Sequence, residues 1–264
     1  MTLALAFIRR DALNWLSYRL SVIWNICSTA SAIVVLYLLW QAIGDAGSQL
    51  VESYSPSLIG FLVTGMVFLE IWAMAFLLPG ALRDAQGAGT LEAIMLSNSG
   101  ISRLLTYSSL FPILLKLTRT LPIALFAIMV MGLWQQANPL TVAVVVIVSY
   151  APMACLGVLC VASVLATKQV DPIIALYGLV NALLAGIYFP KELLPAWIAP
   201  LSSLLPLTHA MHAVRLALNG ASLADVAPQL VILSGMFIVL LPIAVWGVNW
   251  GMSRAKDEGS LVQY

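Results

Sequence analysis

Charge is what this sequence has least of. Lysine, arginine, aspartate and glutamate make up 9 % of its 264 residues, against about 25 % in an ordinary soluble domain. No run of lysine or arginine exists to neutralise a line of phosphates, which argues against a nucleic-acid partner. No Gly-x-x-x-x-Gly-Lys-Ser/Thr loop occurs, so the chain lacks that device for cradling a nucleotide. Its three cysteines, Cys27, Cys155 and Cys160, all lie inside apolar segments. They read as small buried hydrophobes, and no disulfide framework or metal site is implied. Internal repeats, low-complexity tracts and the alternating strands of a membrane barrel are missing too.

What fills the chain is hydrocarbon: 62 % of residues are hydrophobic and the mean hydropathy is +1.00. That composition predicts an all-α polytopic membrane protein, with room for about six or seven helices of roughly 20 residues. Six apolar stretches can be drawn, at 22–43, 58–78, 113–133, 140–165, 172–188 and 230–250. Backbone amides in lipid must be satisfied within their own segment, so each stretch reads as a helix of a single transmembrane domain spanning 1–264. Arg9, Arg10 and Arg19 precede an apolar run too long for the core of a cleavable signal peptide.

The basic residues set an expected orientation. With the amino terminus inside, Arg9, Arg10, Arg19, Arg83, Arg103, Lys116, Arg119, Lys168, Arg254 and Lys256 fall on the cytoplasmic side, leaving only Lys191 and Arg215 outside. Both termini are then cytoplasmic and the segment between the fifth and sixth stretches faces outward. That segment, 186–219, carries Pro190, Pro195, Pro200 and Pro206, which forbid one continuous helix.

Residues 1–21 predict an amphipathic helix. Leu5, Ile8, Ala12, Trp15, Leu16 and Leu20 fall on one arc, with Arg10, Asp11, Asn14, Ser17 and Tyr18 on the other. It reads either as a helix on the cytoplasmic membrane surface that can touch a partner, or as a plain anchor before the first span. Between Pro79 and Ser109, Thr90 can cap a short helix whose face holds Leu91, Ile94 and Met95, ended by Ser97-Asn98-Ser99-Gly100. Such a helix fits a groove on a soluble partner, or folds back on the bilayer.

Several polar residues lie in or beside the apolar stretches. Glu70, in the middle of the second, must be neutral, paired or facing a wet path. Lys116 and Arg119 sit toward the cytoplasmic end of the third and read as snorkelling side chains or substrate contacts. His209, His212 and Arg215 can form one polar stripe on a short outer helix, as a membrane-interface face, a substrate contact, or a metal or proton site. A His pair alone lacks the ligands a zinc site needs.

Taken together, the amphipathic amino-terminal helix, Gly89-Thr90-Leu91-Glu92 to Leu96, and the series Phe189-Pro190, Leu194-Pro195, Pro206-Leu207-Thr208-His209 and Arg215 make the chain resemble an ABC-2-type transporter permease, the membrane subunit of an ATP-driven exporter. The resemblance implies six spans per subunit and two permease subunits, identical or different, around one path. It implies a separate ATP-binding subunit in two copies, carrying the ATP and magnesium, so that this chain holds no cofactor and is not itself the hydrolase. Thr90, Leu91, Glu92, Ile94, Met95 and Leu96, with Arg10 and Asp11, would contact that ATPase. Glu70, Phe189, Pro190, Leu194, Pro195, Pro206, His209 and Arg215 would line or close the path, the outer segment forming short re-entrant helices. Small outer loops leave no domain to receive cargo, so an amphipathic or lipid-linked substrate taken from the bilayer is expected. Two other readings stay open: a proton-coupled carrier using Glu70, and a non-transporting assembly or immunity protein.

Overall fold

A computed structural model describes residues 3–43, 58–87, 101–130, 137–167 and 171–257. These residues are helical with no strand among them, as expected where backbone polar groups have no water to turn to. In chain order the helices are α1 (Leu3–Ser17), α2 (Arg19–Ile43), α3 (Leu58–Ala73), a 3-10 turn at Met74–Phe76, α4 (Leu77–Gly87), α5 (Ile101–Val130), α6 (Pro139–Thr167) and α7 (Asp171–Leu184). A second 3-10 turn at Lys191–Leu193 leads to α8 (Ala199–Ser203), α9 (Pro206–Leu218) and α10 (Leu223–Asp257). The segment expected to form the cytoplasmic helix, with Thr90, Leu91, Glu92, Ile94, Met95 and Leu96, lies outside the described residues.

Four stretches are long and apolar enough to cross a membrane: Gly60–Leu82, Tyr107–Phe126, Pro139–Leu165 and Leu223–Arg254. A fifth exists if the pair Ala4–Ser17 and Arg19–Val35, bent by 90°, is one span. The described residues therefore hold four or five of the six spans expected. The shortfall is at 172–188, where α7 stops at Leu184 after 14 residues, a length of about 21 Å against a hydrocarbon core of about 30 Å. Gly186, at φ +75°, takes the left-handed backbone that side chains with a Cβ resist, and it ends the helix.

The centre of the fold is α6 packed along α10, with α9 lying against both. The α3–α4 rod crosses α6 at its 3-10 turn. Pro79 explains that turn: it has no amide hydrogen to give the Ala75 carbonyl, so the helical ladder is interrupted there. The same carbonyl faces Gly157 of α6, where any added methyl would collide with it. Trp72, Phe76 and Tyr177 close over the turn, with ring centroids 4.6, 5.1 and 5.6 Å apart.

In the amino-terminal helix, Phe7 meets Tyr107 at 6.0 Å and Trp15, a residue of the expected apolar arc, meets Phe111 at 6.3 Å, while Leu5 and Leu16 of that arc are exposed; the helix ends at Ser17 rather than running to residue 21. Cys155 and Cys160 are buried, but Cys27 is exposed on α2. Lys116 and Arg119 both lie on α5, within the apolar stretch Tyr107–Phe126 of the described residues.

Candidate functional site

The prolined segment after α7 folds back on the body of the protein, and Arg215 of α9 holds it there. Its guanidinium, 4 % exposed, donates from Nη1 to the Gly186 carbonyl at 2.7 Å. Nη2 donates to the carbonyls of Phe61 at 3.2 Å and Ile187 at 3.4 Å. The charge also lies 3.5 Å above the Phe61 ring, a cation–π contact strengthened by desolvation. The Gly186 and Ile187 acceptors exist because the chain there is unwound and its carbonyls are not spent within a helix; the Phe61 carbonyl lies in α3. Gly65 makes the approach possible, since a Cβ there would stand 2.6 Å from the Ile187 oxygen.

A second set of contacts completes this closure. Ser202 Oγ donates to the Leu184 carbonyl at 2.7 Å, satisfying one of the acceptors exposed at the end of α7. His209 Nε2 donates to the Ser203 carbonyl at 2.8 Å, and its Nδ1 lies 2.9 Å from the terminal amide of Gln229, whose NH2 donates to it when the amide is turned over, so one imidazole links α8, α9 and α10. Pro200 and Pro206 sit in the first turns of α8 and α9, where a missing amide hydrogen costs nothing. Pro190 and Pro206 are buried, Phe189 and Leu194 half-buried and Pro195 exposed.

The expected stripe of His209, His212 and Arg215 is therefore divided. Arg215 points inward to backbone carbonyls, which removes it from both the membrane-interface and the metal readings. His209 bridges helices. His212 is half-buried, and burial first, then the charge of Lys191, pushes its imidazole below the ordinary value and toward the neutral form. Among the described residues no three His, Cys, Asp or Glu side chains gather as a metal site would require.

Below this closure, α2, α3 and α5 surround a cavity of about 310 Å³ that is mostly apolar and reaches up to Tyr188. Glu70 lies on its wall and pairs with Lys116 at 3.1 Å. Sequence reasoning had offered pairing as one fate for Glu70 without identifying the partner. The signal available was that Glu70 in the second apolar stretch and Lys116 in the third carry opposite charges, and opposite charges in lipid seek each other. Arg10 and Asp11, expected to face a partner, form an ion pair with each other at 2.7 Å. Arg10 is exposed and also lies over the Phe7 ring at 4.6 Å.

A model of the ABC-2 type transporter membrane family matches residues 2–219. The chain belongs to that family. The match takes in every helix from α1 to α9, including the segment held by Arg215, and α10 follows it. No curated protein matches the chain in sequence. As an ABC-2 family member with several membrane-length apolar helices, it is a multi-pass membrane protein and a permease of an ABC-type transporter.

Proposed function

We propose that this permease is the membrane half of an ATP-driven exporter that moves an amphipathic or lipid-linked compound, such as a drug, lipid or glycan conjugate, out across the cytoplasmic membrane. The observation that carries the reading is the family match over 2–219 in a chain with no phosphate loop of its own. Two copies of a separate ATPase would supply the energy, and two permease subunits would form the path. In this reading α7 and the folded-back outer segment together stand in for the fifth span. Arg215, His209 and the prolines keep the outer side shut, and both termini are cytoplasmic. The Thr90 to Ser97 segment, with α1, would receive the ATPase.

The test is reconstitution with the partner ATPase. Replacing Leu91 by Asp and Glu92 by Lys should leave insertion intact while export per ATP hydrolysed falls at least about tenfold. Unchanged coupling removes this segment from the docking site. Export that survives ATP depletion and stops when the proton gradient collapses would instead favour a carrier built on Glu70, which would first have to release that carboxylate from Lys116.

A further inference from the structure

We infer that Arg119 and Thr120 form the headgroup subsite for a phosphate-bearing amphiphile whose tail lies in the cavity between α2, α3 and α5; this deepens, and rests on, the proposed exporter reading. Arg119 lies within the apolar stretch Tyr107–Phe126 of α5, where an ionised side chain is costly unless something answers its charge. Glu70, on the wall of the same cavity, is engaged by Lys116, and no carboxylate among the described residues forms an ion pair with Arg119. Its Nε is buried with no hydrogen-bond partner. Thr120, next to it, is 3 % exposed, and its Oγ1 is also buried without a partner. A guanidinium and a free hydroxyl lining one cavity make a donor set suited to a tetrahedral oxyanion.

The space around these groups has the corresponding shape. Arg119 is a shared wall of two cavities. One is the roughly 310 Å³ chamber lined by Met66, Val67, Leu69 and Ile123, with Thr120 and the Glu70 carboxylate at its polar edge. The other, about 450 Å³, fills the 90° elbow between α1 and α2 and offers Ser21, Asn25 and Ser28 beside Trp15 and Trp24. Both volumes fall in the range of small-molecule sites, about 300–1,000 Å³. An anionic head on Arg119 and Thr120, wetted from the elbow, with its chain in the apolar chamber, gives partners to the Arg119 Nε and Thr120 Oγ1 while leaving the Glu70–Lys116 pair intact. Among the described residues lining the cavities, the charge left uncompensated is that of Arg119, which selects an anionic rather than a cationic amphiphile.

The experiment uses the full chain purified in a neutral maltoside detergent, with dodecyl phosphate, inorganic phosphate and dodecyltrimethylammonium as probes and thermal stability as the readout. Dodecyl phosphate should raise Tm saturably, while the other two do not at equal concentration. R119Q should weaken the response at least about tenfold and R119K less, because a point charge replaces the fork. T120V, which keeps the shape and removes the hydroxyl, should weaken it about two- to tenfold, and it serves if R119Q does not fold. Inorganic phosphate matching dodecyl phosphate would mean a free-anion site, and dodecyltrimethylammonium matching it would mean mere tail burial. Either result, or an R119Q or T120V response equal to wild type, overturns the inference. Coupled ATP hydrolysis with no dodecyl phosphate binding sinks this subsite and spares the exporter reading; binding without any ATP coupling does the reverse.

Discussion

Removing the Arg215 side chain should open the outer segment without unfolding the helices beneath it. The substitution Arg215→Ala strips the carbonyls of Gly186, Ile187 and Phe61 of a charged donor and deletes the contact with the Phe61 ring. A hydrogen bond to a charged group contributes roughly 1.5–3 kcal/mol, and a desolvated cation–π contact about 2 kcal/mol. The terms are not additive, the longest bond is weak, and freed carbonyls regain water once the segment lifts. A net loss of about 3–5 kcal/mol follows. It raises the population of the lifted form by roughly 10²–10⁴ at 1.4 kcal/mol per decade. Hydrogen exchange read by mass spectrometry reports this directly: amides in 185–205 should lose protection by that factor, while those in α6 stay unchanged. Arg215→Lys should fall between, because one ammonium cannot reach three carbonyls in the fork's geometry. Protection of 185–205 that is the same in wild type and Arg215→Ala would refute the latch.

Two further expectations concern packing and pH. Gly157→Ala should destabilise the protein by about 1–3 kcal/mol, because the added methyl meets the Ala75 carbonyl and neither helix backbone can give way. Gly235→Ala in α10, where nothing lies within 4 Å, should be neutral or stabilise by about 0.5–1 kcal/mol through helix propensity; equal Tm values for the two variants would count against the close crossing. His212 faces Lys191, Glu192, His209 and Arg215, and its folded-state pKa is lowered chiefly by burial. The unfolded chain therefore binds the proton more readily, so the contribution of His212 is complete above about pH 6.5 and is lost as pH falls below it. Lowering pH from 7.5 to 5.5 should reduce the protection factors of amides in 191–212, taken relative to the intrinsic exchange rate at each pH, and His212→Gln should flatten that dependence; parallel pH profiles would exclude His212.

The helical class was legible because composition and the backbone rule leave no other choice in lipid, and in the outer segment two prolines marked where helices begin, although Pro112, Pro122, Pro152 and Pro242 lie inside helices. Pro200 and Pro206 do stand in first turns. What the sequence hid were contacts between distant segments. Nothing in the pattern around Glu70 names Lys116, and nothing around Arg215 says that it faces backbone carbonyls rather than lipid headgroups. Nor does helical periodicity report which aromatics of α5 meet α1, because it carries nothing of a partner's surface. The short α7 was concealed for another reason: apolar residues continue past Leu184, and only the backbone sign at Gly186 separates helix from turn. Pro79, by contrast, was a signal in plain view for the interruption at Met74–Phe76.

That interruption has a mechanical meaning. A continuous helix resists bending because each turn is tied to the last, and a kink must break bonds already made. Between α3 and α4 one of those ties is absent from the start, since Pro79 has no hydrogen to offer the Ala75 carbonyl. The 11 residues of α4 thus form a stiff arm hinged at its inner end, with Gly157 as the smooth bearing on α6 and the Trp72, Phe76 and Tyr177 rings as its housing. The outer end of the arm is Gly87, where the chain passes into residues 88–100. A push delivered there would swing the arm about a joint that has already given up its hydrogen bond.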